Sequence, residues 1–220
     1  MDKSFWIERW ANRQIGFHLP DVNPRLAPNV AHLGAPGRVL VPLCGKTVDM
    51  QFLAARGFEV EGVEFVPEAA QAFFDEAGVV PERLSRVGSG GQGRLEGLRH
   101  GNITIWVGDI FAIGPDQIAP VDAVYDRAAL VALEPATRAA YVERLTALTA
   151  PGASLLLVTF EHDGAGGPPF SVAAEEAEAL LAPSFGARLL ERIDVLADNP
   201  RFRDRGVTRL CEPVFTGRRV

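Results

Sequence analysis

Cysteine is scarce in this chain. Cys44 and Cys211 are the only two and lie far apart in sequence, so a disulfide framework has no material and two small thiols are the simpler expectation. The four histidines, His18, His32, His100 and His162, are scattered, and no metal-ligand spacing exists among them. No apolar run approaches the length of a transmembrane helix, and the first residues, Met1 to Trp6, lack the apolar core of a signal peptide. Basic blocks are absent as well. With 22 Lys and Arg against 28 Asp and Glu, the formal net charge is −6, which argues against a nucleic-acid surface as the main partner. Repeats and charge runs are missing. These absences exclude secreted disulfide scaffolds, metal centres, membrane proteins and nucleic-acid binders. They leave a soluble cytoplasmic protein, expected to be a monomer because no exposed apolar helix marks an obligate dimer.

What is present fits a globular enzyme. Of the 220 residues, 47% are apolar, enough to bury one sizeable core. We expect one domain over residues 1–220, with 1–37 as an N-terminal lid or helical segment. The stretch Val39 to Met50 organises the rest. A short β-branched apolar run leads into a tight turn and then an amphipathic run through Phe52 and Leu53, the strand–loop–helix opening of a parallel α/β sheet. Ligands in such sheets sit at the carboxyl ends of the central strands. Gly45-Lys46-Thr47 resembles the end of a phosphate loop, but Leu40 stands where that motif needs its first glycine. The dinucleotide fingerprint is also incomplete, since Gly45 is the only glycine between strand and helix. A ligand without phosphates fits better. Glu64 closes the next apolar run, about twenty residues after the loop, where a carboxylate suits two ribose hydroxyls. A ribose reader without a phosphate cradle points to S-adenosylmethionine.

The remaining elements follow in order. Trp6 and Trp10 share one face of a helix over Ser4 to Arg13. They suit either a packed helix or a lid over a ligand. Leu19 to Gly37, with four prolines, reads as an irregular approach to the first strand. A helix runs from Pro67 to about Glu76. Val79 to Gly101 is Gly-rich and polar and reads as a mobile surface loop, with Leu95 to Leu98 as a hairpin arm. Ile103 to Val107 is a strand ending at Asp109 and Ile110, a carboxylate for an exocyclic amine and an aliphatic for a purine face. Asp109 is equally suited to forming a turn. Val121 to Asp126 is a fourth strand, and Arg127 at its end suits a ligand carboxylate or a neighbouring aspartate. Pro135 opens a helix to about Thr149. Ser154 to Phe160 reads as a central strand covered on both faces. The loop from Glu161 to Phe170 follows at its carboxyl end, placed to touch a second substrate. After a helix over Ala173 to Leu181, Arg188 to Leu196 and Thr208 to Phe215 read as an antiparallel terminal pair. The fold class is therefore α/β, a seven-stranded mostly parallel sheet with helices on both faces and a C-terminal antiparallel pair.

Leu43 to Met50, Trp6-x-x-x-Trp10, Ile15 to His18, Gly108 to Phe111, Asp126 to Leu133 and Gly167 to Phe170, occurring jointly and in this order, resemble the thiopurine S-methyltransferase family in its bacterial form. The resemblance runs from Ser4 to the C-terminus. It implies a class I methyltransferase fold using S-adenosylmethionine. Position by position, it implies cofactor contacts for Trp10, Leu43, Glu64 and Arg127, and an adenine-contacting pair in Asp109 and Ile110. It implies substrate contacts for Phe17 and Arg201. It moves Trp10 from core toward lid and leaves Trp6 a core candidate. Arg127 becomes the candidate for electrostatic help to a thiolate. The implied activity is methyl transfer to the sulfur of a thiopurine or a similar thiol, or to a selenium or tellurium compound, with a small-molecule thiol or selenol as partner. A halide or small-thiol methyltransferase, and a non-catalytic S-adenosylmethionine-binding protein, stay open beside it. A nicotinamide dehydrogenase is the weakest rival, since the loop lacks its second and third glycines.

Overall fold

In the computed structural model, residues 3–16, 18–89 and 93–220 are described. Phe17, one of the expected substrate contacts, lies outside them. The strands are β1 (Arg38–Pro42), β2 (Glu59–Glu64), β3 (Glu82–Val87), β4 (Arg94–His100), β5 (Ile103–Val107), β6 (Val121–Arg127), β7 (Thr149–Val158), β8 (Glu161–His162), β9 (Arg188–Asp194) and β10 (Leu210–Arg218). The helices are α1 (Lys3–Ala11), α2 (Leu26–Asn29), α3 (Asp49–Ala55), α4 (Pro67–Glu76), α5 (Pro135–Leu148), α6 (Ala174–Phe185) and α7 (Pro200–Asp204).

One sheet carries every strand, in the order β3-β4-β5-β2-β1-β6-β7-β10-β8, with β9 paired to β10. β5, β2, β1, β6 and β7 run parallel, and β10 returns antiparallel to both β7 and β9. The seven strands expected from sequence are β1, β2, β5, β6, β7, β9 and β10. The chain winds outward from β1 in both directions, so the crevice at the carboxyl ends of β1 and β6 is a topological switch point, where open α/β sheets bind ligands. The parallel strands are apolar because helices cover both faces. Leu155, Leu156 and Leu157 of β7 are all buried. Leu155 and Leu157 belong to the core on the α5–α6 face, whereas Leu156 faces the core shared with α2, α3 and α4. Each such leucine stabilises the fold by about 1.5–3 kcal/mol relative to exposure.

One expectation changes. In the described parts of Val79 to Gly101, residues 79–89 and 93–101, the chain is not a mobile loop. β3 and β4 pair antiparallel from Glu82↔Arg99 to Val87↔Arg94 and extend the sheet beyond β5. Gly97, which looks like a loop residue in sequence, is a packing residue. A Cβ there would stand 2.7 Å from the ring of the fully buried Trp106. Within residues 1–37, the stretch from Leu26 to Leu33 is helical and both leucines are buried against the sheet, while α1 carries Trp6, Arg9 and Trp10 to the crevice. Among the described residues no helix is long and apolar enough to cross a membrane.

Candidate active site

The strand ends and α1 enclose a cavity of about 260 Å³. Its floor is the loop after β1. Here Leu43 takes a left-handed backbone (φ 47°) and Gly45 does the same (φ 52°), a conformation that costs most residues energy and that glycine adopts freely. A Cβ on Gly45 would also meet the Trp10 indole at 3.1 Å, so the loop's single glycine lets α1 close down on it. Ala128, directly after β6, is a second non-glycine cavity residue with positive φ (67°). Strain at two adjacent strand ends fits a ligand site.

Glu64 ends β2 in this floor. Its carboxylate accepts from the Gly45 N–H at 2.9 Å and the Val66 N–H at 2.8 Å, and the Gly108 N–H donates to its backbone carbonyl at 2.9 Å. One side chain thus ties the β1–α3 and β2–α4 loops together. Burial pushes the carboxyl up to about 7, and the backbone donors of Val66, Gly45 and Phe65 only partly offset that shift. Cys44 beside it is buried and free, and burial drives its thiol well above the ordinary range. It is an inert packing group rather than a nucleophile. Cys211 is also free.

Behind the floor, buried carboxylates brace the loops. Asp126 accepts from the Tyr141 hydroxyl at 2.7 Å and the Leu130 N–H at 3.2 Å. Burial raises it to about 6. It holds the turn that presents Arg127 and Ala128. Asp49, at the start of α3, accepts from the Tyr125 hydroxyl at 3.0 Å and the Asn23 N–H at 2.7 Å, which anchors the N-terminal approach to the sheet.

Trp10, Leu43, Glu64, Arg127 and Arg201 all line this cavity. Trp6 lines it too and is half-buried, so its expected place in the core is corrected. One helical turn before Trp10, it faces the same space. Asp109 and Ile110 stand on the same edge of the sheet, one strand over, but not in the cavity wall. The Asp109 carboxylate accepts from the Phe111 N–H at 3.0 Å, the turn-forming role, and Ile110 is buried in the core.

The far wall contains Phe160, Phe202, Arg9 and Arg205, which sequence reasoning did not single out, together with Pro168 and Pro169 of the loop after β8, which it placed to touch a second substrate. Phe160 and Phe202 lie 5.7 Å apart, and His162 meets the Phe202 ring edge-on at 5.4 Å. Arg201 presses on Gly16, where a Cβ would sit 1.7 Å from its Nη1. His18 shares the lining; partial burial and the Lys46 charge hold its imidazole below the usual range. Arg9 and Arg205 carried one available signal, basic residues flanking aromatics in an acidic chain, but helix spacing alone does not say which way they point.

A sequence model of the thiopurine S-methyltransferase family matches residues 1–220. The chain is 42% identical over 219 residues to the thiopurine S-methyltransferase of Pseudomonas fluorescens, covering 98% of each. It is 44% identical to that of Nitrosospira multiformis, covering 98% of this chain and 97% of the relative. Among solved structures, Burkholderia thailandensis 1,6-didemethyltoxoflavin-N1-methyltransferase, crystallised with 1,6-didemethyltoxoflavin and S-adenosylhomocysteine, superposes with a TM-score of 0.67. It shares 21% identity and covers 99% of this chain and 86% of its own. The cyclase SpnF also shares the fold, with a TM-score of 0.60, 14% identity, and 89% and 80% coverage, so the fold by itself does not fix the chemistry. The sequence match does more: the chain is a member of the thiopurine S-methyltransferase family of S-adenosylmethionine-dependent enzymes.

Proposed function

We propose that the enzyme methylates the sulfur of an aromatic or heteroaromatic thiol, or the corresponding selenol, in this cavity. The observation that carries the reading is the convergence of Glu64, Trp10 and an aromatic–proline far wall on one space. S-adenosylmethionine supplies a methyl group on a sulfonium; the acceptor sulfur forms the new S–CH3 bond with its own electron pair, the broken C–S bond leaves its pair on the departing thioether, and the acceptor proton passes to water.

The chain's residues supply grip, alignment and water exclusion. Glu64, fixed by two backbone donors, would accept from the ribose hydroxyls. Hydroxyl donors favour the anion over the protonated form, so a carboxyl that burial raises to about 7 would release its proton more readily on binding. Asp109 and Ile110, on the neighbouring strand end, would close round the adenine after a small local adjustment. Trp6 and Trp10 would cover the methionine end and keep water out. Arg127 would lower the cost of a thiolate by its charge. No acid or base group is required, because alignment with an already activated methyl supplies most of the acceleration. Phe160, Phe202, Pro168 and Pro169 suit the face of a planar ring, which favours an arene thiol over a halide or bisulfide. A monomeric, cytoplasmic enzyme belongs to the same reading; the two free thiols suit a reducing compartment.

The test is a methyl-transfer assay across a thiopurine, thiophenol, iodide and bisulfide. We expect turnover of the two ring thiols at least about tenfold above the small nucleophiles. Preference for iodide or bisulfide would favour the halide and small-thiol reading. Cofactor binding with no turnover of any acceptor would leave a binding protein.

A further inference from the structure

The charge on the far wall goes beyond what methyl transfer needs. Glu64 is the only carboxylate among the described residues lining the cavity, against Arg9, Lys46, Arg127, Arg201 and Arg205. This occurs in a chain of net charge −6. Lys46 is neutralised by its ion pair with Glu76. Arg9, Arg201 and Arg205 have no carboxylate partner among the described residues. Instead each is held in place by something that leaves its charge available. The Arg9 guanidinium lies 4.5 Å from the Phe5 ring centroid, and its buried Nε has no hydrogen-bond partner. Arg205 lies 6.0 Å from the centroid of Phe202. Arg201 is packed on Gly16.

Guanidinium groups that line one cavity without a paired carboxylate offer their donors to a ligand, and a ligand carboxylate fits the forked geometry of arginine. Glu64 is held by the Gly45 and Val66 N–H groups and makes no ion pair with them. We propose that Arg9 and Arg205, acting with Arg201, form a carboxylate subsite, and that the preferred acceptor is a ring thiol carrying a carboxylate away from its sulfur. This rests on the methyl-transfer reading above. The aromatic and proline wall takes the ring, Arg127 faces the sulfur, and the three arginines take the substituent.

The experiment compares kcat/KM for 4-mercaptobenzoate and 4-mercaptobenzamide, which differ in charge but hardly in shape. It uses the full-length enzyme and its R9Q, R205Q, R205K and R9Q/R205Q variants. Arg205 is solvent-facing and Arg9 half-buried, so solvent screening limits the effect, and we expect about a tenfold preference for the carboxylate. R9Q/R205Q should bring the ratio close to one, mainly through KM, and R205K should keep most of it. Raising salt should shrink the preference in the parent enzyme and not in the double variant. A parent ratio near one overturns the proposal. So does an equal fall on both acceptors in the double variant, which would assign the arginines to the thiolate itself. Calorimetry with S-adenosylmethionine on the same proteins separates the two levels. Normal cofactor binding and turnover of the amide without carboxylate preference sinks only this subsite, whereas no cofactor binding sinks the methyl-transfer reading beneath it.

Discussion

At the amino end of β1, Arg38 donates to Glu61 at 2.6 Å and to the carbonyl of Ala119 at 2.8 Å. The same buried carboxylate accepts from the Trp106 indole N–H at 2.6 Å. Arg86 stacks 4.6 Å from the Trp106 ring centroid and donates to the Gln117 carbonyl at 2.8 Å. A smaller cavity of about 190 Å³ opens there. At the carboxyl end of the same strands, the larger cavity holds Arg9, Arg201 and Arg205 with no carboxylate ion-paired to them among the described residues. The contrast separates two uses of arginine. Where each donor finds an acceptor inside the fold, the group adds rigidity. Where the donors line a cavity without a paired carboxylate, they stay available to a ligand.

The contrast can be broken from its structural side first. Glu61→Ala should be the most damaging change. It strands the buried Trp106 N–H and the Arg38 charge, at a cost of about 3–5 kcal/mol. Chemical denaturation should record that loss, while the carboxylate-over-amide preference of the surviving enzyme stays as it was. A shift in that preference would join the two ends that we treat as separate. At the ligand end, Glu64→Gln should weaken S-adenosylmethionine binding about 10- to 100-fold, the worth of hydrogen bonds to a charged group.

Tyr141→Phe tests the brace between the ends. Removing the hydroxyl that donates to Asp126 should cost about 1–3 kcal/mol and raise KM for the acceptor by loosening the Arg127 turn. Unchanged denaturation midpoints would contradict the brace. A smaller effect is expected from pH. Glu64 and Asp126 are raised in the folded state to about 7 and about 6. Their stabilising contribution is full below the ordinary carboxylate range and fades as pH rises through those values. The ligand-free enzyme should therefore lose a few degrees of Tm between pH 5 and pH 8, and Glu64→Gln should lose less. Gly16→Ala should have the mildest consequence. The new methyl group displaces the Arg201 guanidinium, which a flexible side chain accommodates, and KM for a carboxylate acceptor should rise about two- to fivefold.

Much of the fold and the crevice is legible in the amino-acid order. The parallel strands announce themselves as apolar runs, and the glycine-poor turn with a carboxylate about twenty residues later marks the strand-end crevice. Two regions are harder to read. The β3–β4 hairpin is rich in Ser, Gly and Arg because it is an exposed edge. Its one firm determinant, Gly97 under Trp106, acts through a contact that sequence spacing does not reveal. Trp6 presents the opposite difficulty. A tryptophan on a helix face is consistent with core or lid, and only the placement of α1 over the Gly45 loop decides between them. The arginines of the far wall are invisible for a similar reason. Their meaning lies in the absence of carboxylates in space, and residues 9, 201 and 205 do not form one stretch of chain.

The most direct measurement is calorimetric titration with S-adenosylhomocysteine near pH 7, repeated in buffers of different ionisation enthalpy. If Glu64 grips the ribose, binding should release a fraction of a proton near neutrality, tighten from pH 6 to pH 8, and lose both features in Glu64→Gln. Equal affinity in Glu64→Gln, with no proton exchanged by the parent enzyme, would contradict the assignment of this crevice.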